Sequence, residues 1–581
     1  MTTLIPKYDV KNGGSTPAGA INRAINLKLA EFVSVKDFGA TGDGTTDDSA
    51  AIAAAILATP VNGTLYFPNG TYIVDYEFKI TQPMTLMGNG GVIKLKNQSN
   101  LFNDYTNGYG RYIFHIRSSN VTFENLYFNG NSVNNYKVVG SENHYYYAIG
   151  GTWQVSLVMV GWYGSGVTVT SDLTNININN CTFYDSPFNS VDWLMQGQDN
   201  TGYAVVGARV TNNYFELGQG GQCPPSNTRN LLVANNTFKN AYFCAFQWYI
   251  WNVGGRFDGN SVYFNLAEID LTKVDPALKA LNYNSSATIL IYGGYIQMGK
   301  ADASPNLSCD VTNNTVNGTE IYFTAGMTYS TCGWNTIYKS QQCGIEYSNT
   351  LAGNKLIGNK IIQSNSPGLM LEASPATEVV VFDNQLLGCC TEVVSPLFPN
   401  QSSGYRYSAQ IYIANEAYYF KNNYAKTLSS LPSYGVLLQS NEVNPMEFSN
   451  NYFVGSGSVV DVATALSVTS SAIPTVKTVS NIGDLQQWSY SMNGFPAGGT
   501  LDNFPIGKNG FVLVSLGIES AYYVINSASG ATTCTKVSGT ANTIATNSGV
   551  NLRLFQNGAN SLELINGLAT AQPLNLQYFF R

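Results

Sequence analysis

The chain has 581 residues, of which 11% are charged, 13% aromatic and 44% hydrophobic, with 56 Gly and a formal net charge of −7. The charged fraction is less than half of the roughly 25% usual in soluble domains, while the apolar content excludes a disordered chain. An acidic pI of about 5.0 without a Lys/Arg cluster excludes a typical nucleic-acid binder.

No apolar run reaches the roughly 18 residues of a membrane span. The start, MTTLIPKYDVKNGG, has no basic stretch leading into an apolar one, so no secretory signal is expected. The nine Cys (181, 223, 244, 309, 332, 343, 389, 390, 534) are odd in number and lack a CxxC pair. Buried thiols in a chain made in a reducing cytoplasm are expected, not a disulfide framework. With only His115 and His144 present, no His-based metal site is expected, and no cofactor is called for.

Residues 1–33 are polar, then weakly helical (AGAINRAINLKLAEF), and too few for a core; they read as a short arm or adaptor. Residues 34–114 open the main body. VSVKDF is a short strand leading to a Gly-Asp turn, and Asp47 and Asp48 then stand before an Ala/Ile run as helix caps. GTLYFPNGTYIV reads as a hairpin with Asn69-Gly70 at its turn. Asp43, Asp47 and Asp48 look like a metal cluster, but capping accounts for them.

From 115 to 465 an Asn followed by an apolar strand recurs. Asn125 and Asn180 come first. From Asn213 onward, Asn236, Asn260, Asn314, Asn335, Asn359, Asn384, Asn423 and Asn451 follow at gaps of 23, 24, 54, 21, 24, 25, 39 and 28. A period in the low twenties with short strands and Gly/Asn turns predicts a β-solenoid, in which stacked Asn side chains form a ladder. Residues 466–480 read as a linker. Residues 481–581 read as a separate β-sandwich-like domain, for trimerisation or carbohydrate binding.

VKDFGATGDGTTDDSAAIAAAI followed by GTLYFPNGTYIV resembles the opening of the pectate-lyase-like right-handed parallel β-helices. Taken with YDVKNGGSTPAGAINRAINLKLAEFVSVKDF and the β-rich tail, the chain is similar to the bacteriophage tailspike depolymerases. The motifs cover residues 9–75. The resemblance implies an all-β fold, a homotrimer, a place on the virion tail, a bacterial surface polysaccharide as substrate, and docking to another phage tail protein through residues 1–33. No membrane or nucleic-acid partner is implied.

Aligning the strand after each Asn corner on a small residue gives Ser190-Val191-Asp192-Trp193, Ala245-Phe246-Gln247-Trp248, Gly318-Thr319-Glu320-Ile321, Gly344-Ile345-Glu346-Tyr347 and Gly368-Leu369-Met370-Leu371-Glu372. Strand alternation then sends Asp192, Gln247, Glu320, Glu346 and Met370 outward, with Glu372 in the same phase. Glu320 and Glu346 would stand on adjacent turns about 5 Å apart, near a retaining glycosidase separation. Glu346 and Glu372, one turn and two residues apart, would be about 8 Å apart, in the inverting range.

Asp192 and the Glu268/Asp270 pair are secondary candidates, the latter beside an insertion spanning 265–308. Parity predicts Tyr249 and Trp251 outward as sugar platforms, with Trp193 and Trp248 inward. Gln247, Tyr322, Lys339 and Arg256 complete the candidate sugar contacts, and His144 with the following tyrosines could line a groove. Lys339, Arg229 and Arg256 could neutralise a uronate carboxylate beside a Tyr base. Carboxylate hydrolysis, metal-free elimination on a uronate, and non-catalytic receptor binding thus all remain open. The polysaccharide, and whether a site lies within or between chains, are open too.

Overall fold

The computed structural model describes residues 31–102, 111–139, 155–161, 171–195, 202–274, 293–299, 305–348, 353–372 and 379–391. It also describes short strands at 7–8, 23–24 and 142–144, and others between 409 and 454 and between 486 and 580. The described residues are nearly all strand and turn, arranged as a right-handed parallel β-helix with one α-helix, Ser49–Ala58. The chain divides into two compact units, residues 1–297 with 305–310, and residues 298–304 with 311–581.

In the first unit one sheet climbs from Phe32–Ser34 through Gly63–Phe67, Met84–Gly88, Val121–Glu124, Ile176–Asn179, Arg209–Thr211 and Leu232–Ala234 to Arg256–Asp258. A second climbs from Asp43–Asp47 through Gly70–Val74 to Ser261–Tyr263. A third, of four strands, runs Phe78–Ile80, Arg111–Ile116, Val155–Gly161, Val191–Leu194. The second unit repeats the plan. Thr331–Gly333, Lys355–Ile357 and Val379–Phe382 lie in one sheet, Thr336–Ser340, Lys360–Ser364 and Gln385–Cys389 in the next, and Ile321–Phe323, Ile345–Tyr347, Leu369–Leu371 and Ala409–Ile413 in the third. Its carboxy-terminal strands, from Gln486–Phe495 to Gln572–Phe580, form a five-stranded antiparallel sheet and a four-stranded mixed one.

Inward positions alternate along many strands, as in Gly63–Phe67 and Met84–Gly88, whereas Cys244–Trp248 and Leu369–Leu371 are buried throughout. Ile337, Ile361 and Leu386 pair in register and are fully buried, as are Phe323, Tyr347 and Leu371. Because equivalent residues stack directly, like sits on like. Phe128, Phe183, Phe215 and Phe238 form a column with ring centroids 5.0, 4.8 and 4.6 Å apart and planes within 10°.

The expected Asn ladder is present from Asn213 onward, but Asn125 and Asn180 lie outside it as exposed left-handed corners, and the Cys181 N–H, one residue after Asn180, donates to Asn213. Each Asn side-chain oxygen accepts the backbone N–H and side-chain amide of the Asn one turn before. This links Asn213 to Asn236 to Asn260 at 2.9–3.0 Å, and Asn314, Asn335, Asn359, Asn384 and Asn423 at 2.9–3.1 Å. The side-chain amides also donate to carbonyls of the preceding turn, as Asn359 does to Cys332 at 2.9 Å. The ladder thus satisfies backbone groups that no strand can reach at a corner. Eight thiols are free and buried, as expected; the side chain of Cys534 lies outside the described part of its strand.

Four local expectations need correction. VSVKDF is strand only through Ser34, and Val35–Phe38 is a 3-10 turn capped by Ser34. Gly63–Phe67 and Gly70–Val74 are not a hairpin: each pairs in parallel with a strand of the next turn, Met84–Gly88 and Gly91–Leu95. Asn69-Gly70 is a corner between sheets, and Gly70 (φ 149°) lies so close to Gly42 that a Cβ would stand 2.7 Å from its carbonyl oxygen. Asp48 precedes the helix but makes no cap; its carboxylate accepts Thr41 N–H at 2.7 Å and Gly42 N–H at 3.1 Å, closing the glycine turn. Asp47 takes the Ser49 N–H instead. In the amino-terminal arm, Arg23–Ala24 is a strand paired with Lys7–Tyr8, not helix, and the rest of that reading lies outside the described residues.

Asn359→Ala removes a fully buried amide that serves both neighbouring turns. Each buried group left unpaired costs about 1–3 kcal/mol. The variant should melt several degrees lower by differential scanning calorimetry, whereas a change at the exposed corner Asn422 should not.

Candidate functional site

The third sheet of the second unit positions the carboxylates. Register there pairs Tyr322 with Glu346, Glu346 with Met370, and Met370 with Tyr412. Glu320 therefore sits two residues before the level of Glu346, not beside it. The reason is local. Gly318 (φ 80°) is a left-handed corner, so it is not the equivalent of Gly344; Ile321 N–H reaches the Gly344 carbonyl at 3.1 Å, which puts Glu320 level with Gly344. The two-residue slip preserves parity, so both glutamates keep the same face.

They still meet, diagonally. Carboxylate oxygens of Glu320 and Glu346 and the Cys343 sulfur all lie within 4.8 Å of one another. Glu320 is buried and its Oε2 has no hydrogen-bond partner. Burial, then the neighbouring Glu346 charge, push the Glu320 carboxyl well above its ordinary range, with the Cys343 backbone N–H pulling the other way. Burial likewise holds the Cys343 thiol protonated, reinforced by Glu320, Glu346 and Glu372; its sulfur is 3.4 Å from that of Met370. Burial beside a second carboxyl therefore favours the protonated form of Glu320.

Around this pair, Glu346 and Glu372 are half-buried and Glu372 N–H bonds the Tyr347 carbonyl at 2.9 Å, one turn and two residues beyond Glu346 as expected. Ser348 donates to the Tyr322 hydroxyl at 3.2 Å, and burial raises the Tyr322 phenol pKa. Met370, expected outward, is nearly covered. Among the described residues, Glu320, Cys343 and Glu346 are the one group of three potential metal ligands; a cation there would have to displace the protons of Glu320 and the thiol.

The remaining candidates are dispersed. In the first unit Asp192 accepts from Ser156 Oγ at 3.1 Å and from Trp193 N–H at 3.0 Å, and burial pushes it up to about 6. Its register partner is Met159, which pairs with His115. His115 is a buried residue bonded to Glu77 at 2.9 Å and to the Gly161 carbonyl at 2.8 Å, and it was invisible as a contact from spacing alone. Glu268 is held by Tyr263, Asn240 and Asn265, which lower its pKa; Asp270 caps a 3-10 turn through Thr272 and pairs with Lys273 at 3.2 Å.

Trp193 and Trp248 are buried, as parity required, and so is Gln247, expected outward. Trp251 escapes the parity argument because its strand ends at Trp248, and the residue lies half-buried in left-handed backbone (φ 59°). Tyr249 is half-buried; Arg256 and Lys339 are exposed, Lys339 in left-handed backbone (φ 47°). Arg229 bonds the Gly202 carbonyl and faces Asp172 at 3.8 Å. The side chains of His144 and the tyrosines after it lie outside the described residues. Cys343 escaped detection because a short loop, not a strand, carries it to Glu320.

Residues 32–242 match the family described as rhamnogalacturonase A/epimerase, pectate lyase-like. The match spans about a third of the chain and lies within the parallel β-helix described above. A stretch of 63 residues is 35% identical to a probable glucan endo-1,3-β-glucosidase of Arthroderma benhamiae, 11% of this chain but only 7% of that protein's length. Among solved structures, the tailspike protein of Dettilon aligns over 96% of both chains at 12% identity and a TM-score of 0.45. The amino-terminal fragment of bacteriophage Phi29 gene product 12 aligns over 73% of this chain and 71% of that one at 13% identity and a TM-score of 0.46.

A carboxyl whose folded pKa is raised binds a proton that the unfolded chain has lost, so stability falls as pH rises through that range. Glu320 and Asp192 both act in this direction. The melting temperature should decline from pH 4.5 toward neutrality, and Glu320→Gln should flatten that decline; an unchanged slope would remove Glu320 as its source.

Proposed function

We propose that this chain is a phage tailspike that binds a bacterial capsular or O-antigen polysaccharide and hydrolyses its glycosidic bonds. The observation that carries the reaction is the close approach of Glu320, whose protonated form is favoured by burial, to Glu346, beside the half-exposed Glu372. Polysaccharide action is supported by the pectate-lyase-like match and the glucosidase-like segment. The tailspike role rests on the sequence resemblance of residues 9–75, which also supports a homotrimer, a place on the virion, and attachment to another tail protein through residues 1–33.

In this reading Glu346 is the group at the surface. It protonates the leaving oxygen with the proton that the pair holds, Glu320 acting behind it as a positioning residue and proton store. Glu372, about 8 Å away by strand geometry, takes a proton from the attacking water; that spacing favours inversion at the anomeric carbon. Tyr322 borders the cleavage point as a sugar contact. Its raised pKa keeps the phenol protonated and leaves little phenolate to act as a base, which supports hydrolysis over elimination.

Incubation with a panel of capsular and O-antigen polysaccharides should give shorter chains with new reducing ends and no ultraviolet absorbance of an unsaturated uronate. Glu346→Gln and Glu372→Gln should each lower the rate about 10²–10⁴-fold. Glu320→Gln should retain more activity but shift the alkaline limb of the pH profile, which in the native protein falls as Glu320 gives up its proton. Absorbance at the unsaturated-uronate band would replace hydrolysis by elimination; binding without shortening would leave a receptor-binding spike.

A further inference from the structure

Two exposed aromatic rings in the second unit occupy backbone that suits neither of them. Tyr329 (φ 50°) and Trp334 (φ 56°) stand at the two corners flanking the strand Thr331–Gly333, and are 63% and 55% exposed. A bulky residue at positive φ is an outlier, and such strain gathers at functional positions. The first unit shows what these corners ordinarily hold. There Asn230 (φ 54°) and Asn235 (φ 57°), also five residues apart, lie over Gly254 and Gly259 of the following turn. In the second unit Tyr329 and Trp334 lie over Gly353 and Gly358, again 24 residues on. A side chain at Gly353 would collide with the Tyr329 ring, and a Cβ at Gly358 would stand 2.7 Å from Trp334 Cδ1. Both glycines therefore let a ring rest on the next corner while much of it stays open to solvent.

We infer that Tyr329 and Trp334 form a second glycan-binding site, stacking on the pyranose rings of a polysaccharide. Rigid aromatics with an open face pack against the C–H faces of sugars at little conformational cost, and the low charge of this chain suits an uncharged or weakly charged polymer. The corners are five residues apart, about 16 Å at strand rise, a span for a short oligosaccharide segment. Their strand, Thr331–Gly333, belongs to a different sheet from the one that carries Glu346. The site would hold polymer without cutting it, and it stands whether or not the proposed hydrolysis does.

The test uses the full chain with Glu346→Gln as a cleavage-blocked background, run by affinity electrophoresis through gels each containing one purified capsular polysaccharide or O-antigen. The parent should be retarded in at least one gel. Trp334→Asn and Tyr329→Asn should each lower the association constant about tenfold, with the double variant lower still, and Trp334→Tyr should restore most of it. Because Asn suits these corners, the Asn variants should melt no lower than the parent, which separates lost binding from misfolding. Retardation by no polymer, unchanged retardation in the variants, or an altered oligomeric state of the Asn variants by light scattering would overturn the site; the last would mark a contact between copies. Binding lost in the Asn variants without any cleavage by the native chain would sink the hydrolase and leave this site intact. Cleavage with Asn variants that bind normally would do the reverse.

Discussion

The structure depends on one constraint, the direct stacking of equivalent residues at the spacing of parallel strands. The Asn ladder enforces it. Each amide bridges a corner where the strands stop and sheet hydrogen bonds end. Asn359 shows the economy: one buried side chain accepts from the backbone and amide of Asn335, and donates to Asn384 and to the Cys332 carbonyl. With corners pinned, every strand position has a fixed neighbour above and below.

Stacking has opposite consequences for different side chains. For Phe it is favourable, as in the column from Phe128 to Phe238. For carboxylates it is unfavourable, because like charges are brought together in a partly covered place. At Glu320 and Glu346 burial and proximity favour the protonated form of Glu320. The chemistry proposed for the site is thus a by-product of the same geometry that builds the core, and a chain so poor in charge has little reason to tolerate it elsewhere.

Much of this was legible in the sequence. The Asn spacing of 21–25 residues and the glycine-rich opening gave the solenoid, because one buried amide per turn leaves a periodic mark. Strand parity located Glu346 and Glu372 and buried Trp193 and Trp248. What failed did so at corners. Gly318 and Gly344 look alike as letters but differ in backbone, which displaced Glu320 by two residues. Trp251 lies past its strand, and Asn69-Gly70 turns between sheets instead of within a hairpin. Cys343 and the His115–Glu77 contact are brought in by loops or across turns, where no periodicity reports them.

The ladder bond between Asn384 and Asn423 is 3.0 Å long, against 3.1 Å between Asn335 and Asn359, although 39 residues separate the first pair and 24 the second. Fifteen extra residues between them leave the register of the coil undisturbed. The entropy of closing such an excursion grows only with the logarithm of its length. Long surface loops are therefore cheap on this scaffold, and its recognition surface can be rebuilt segment by segment while the coil beneath is left alone.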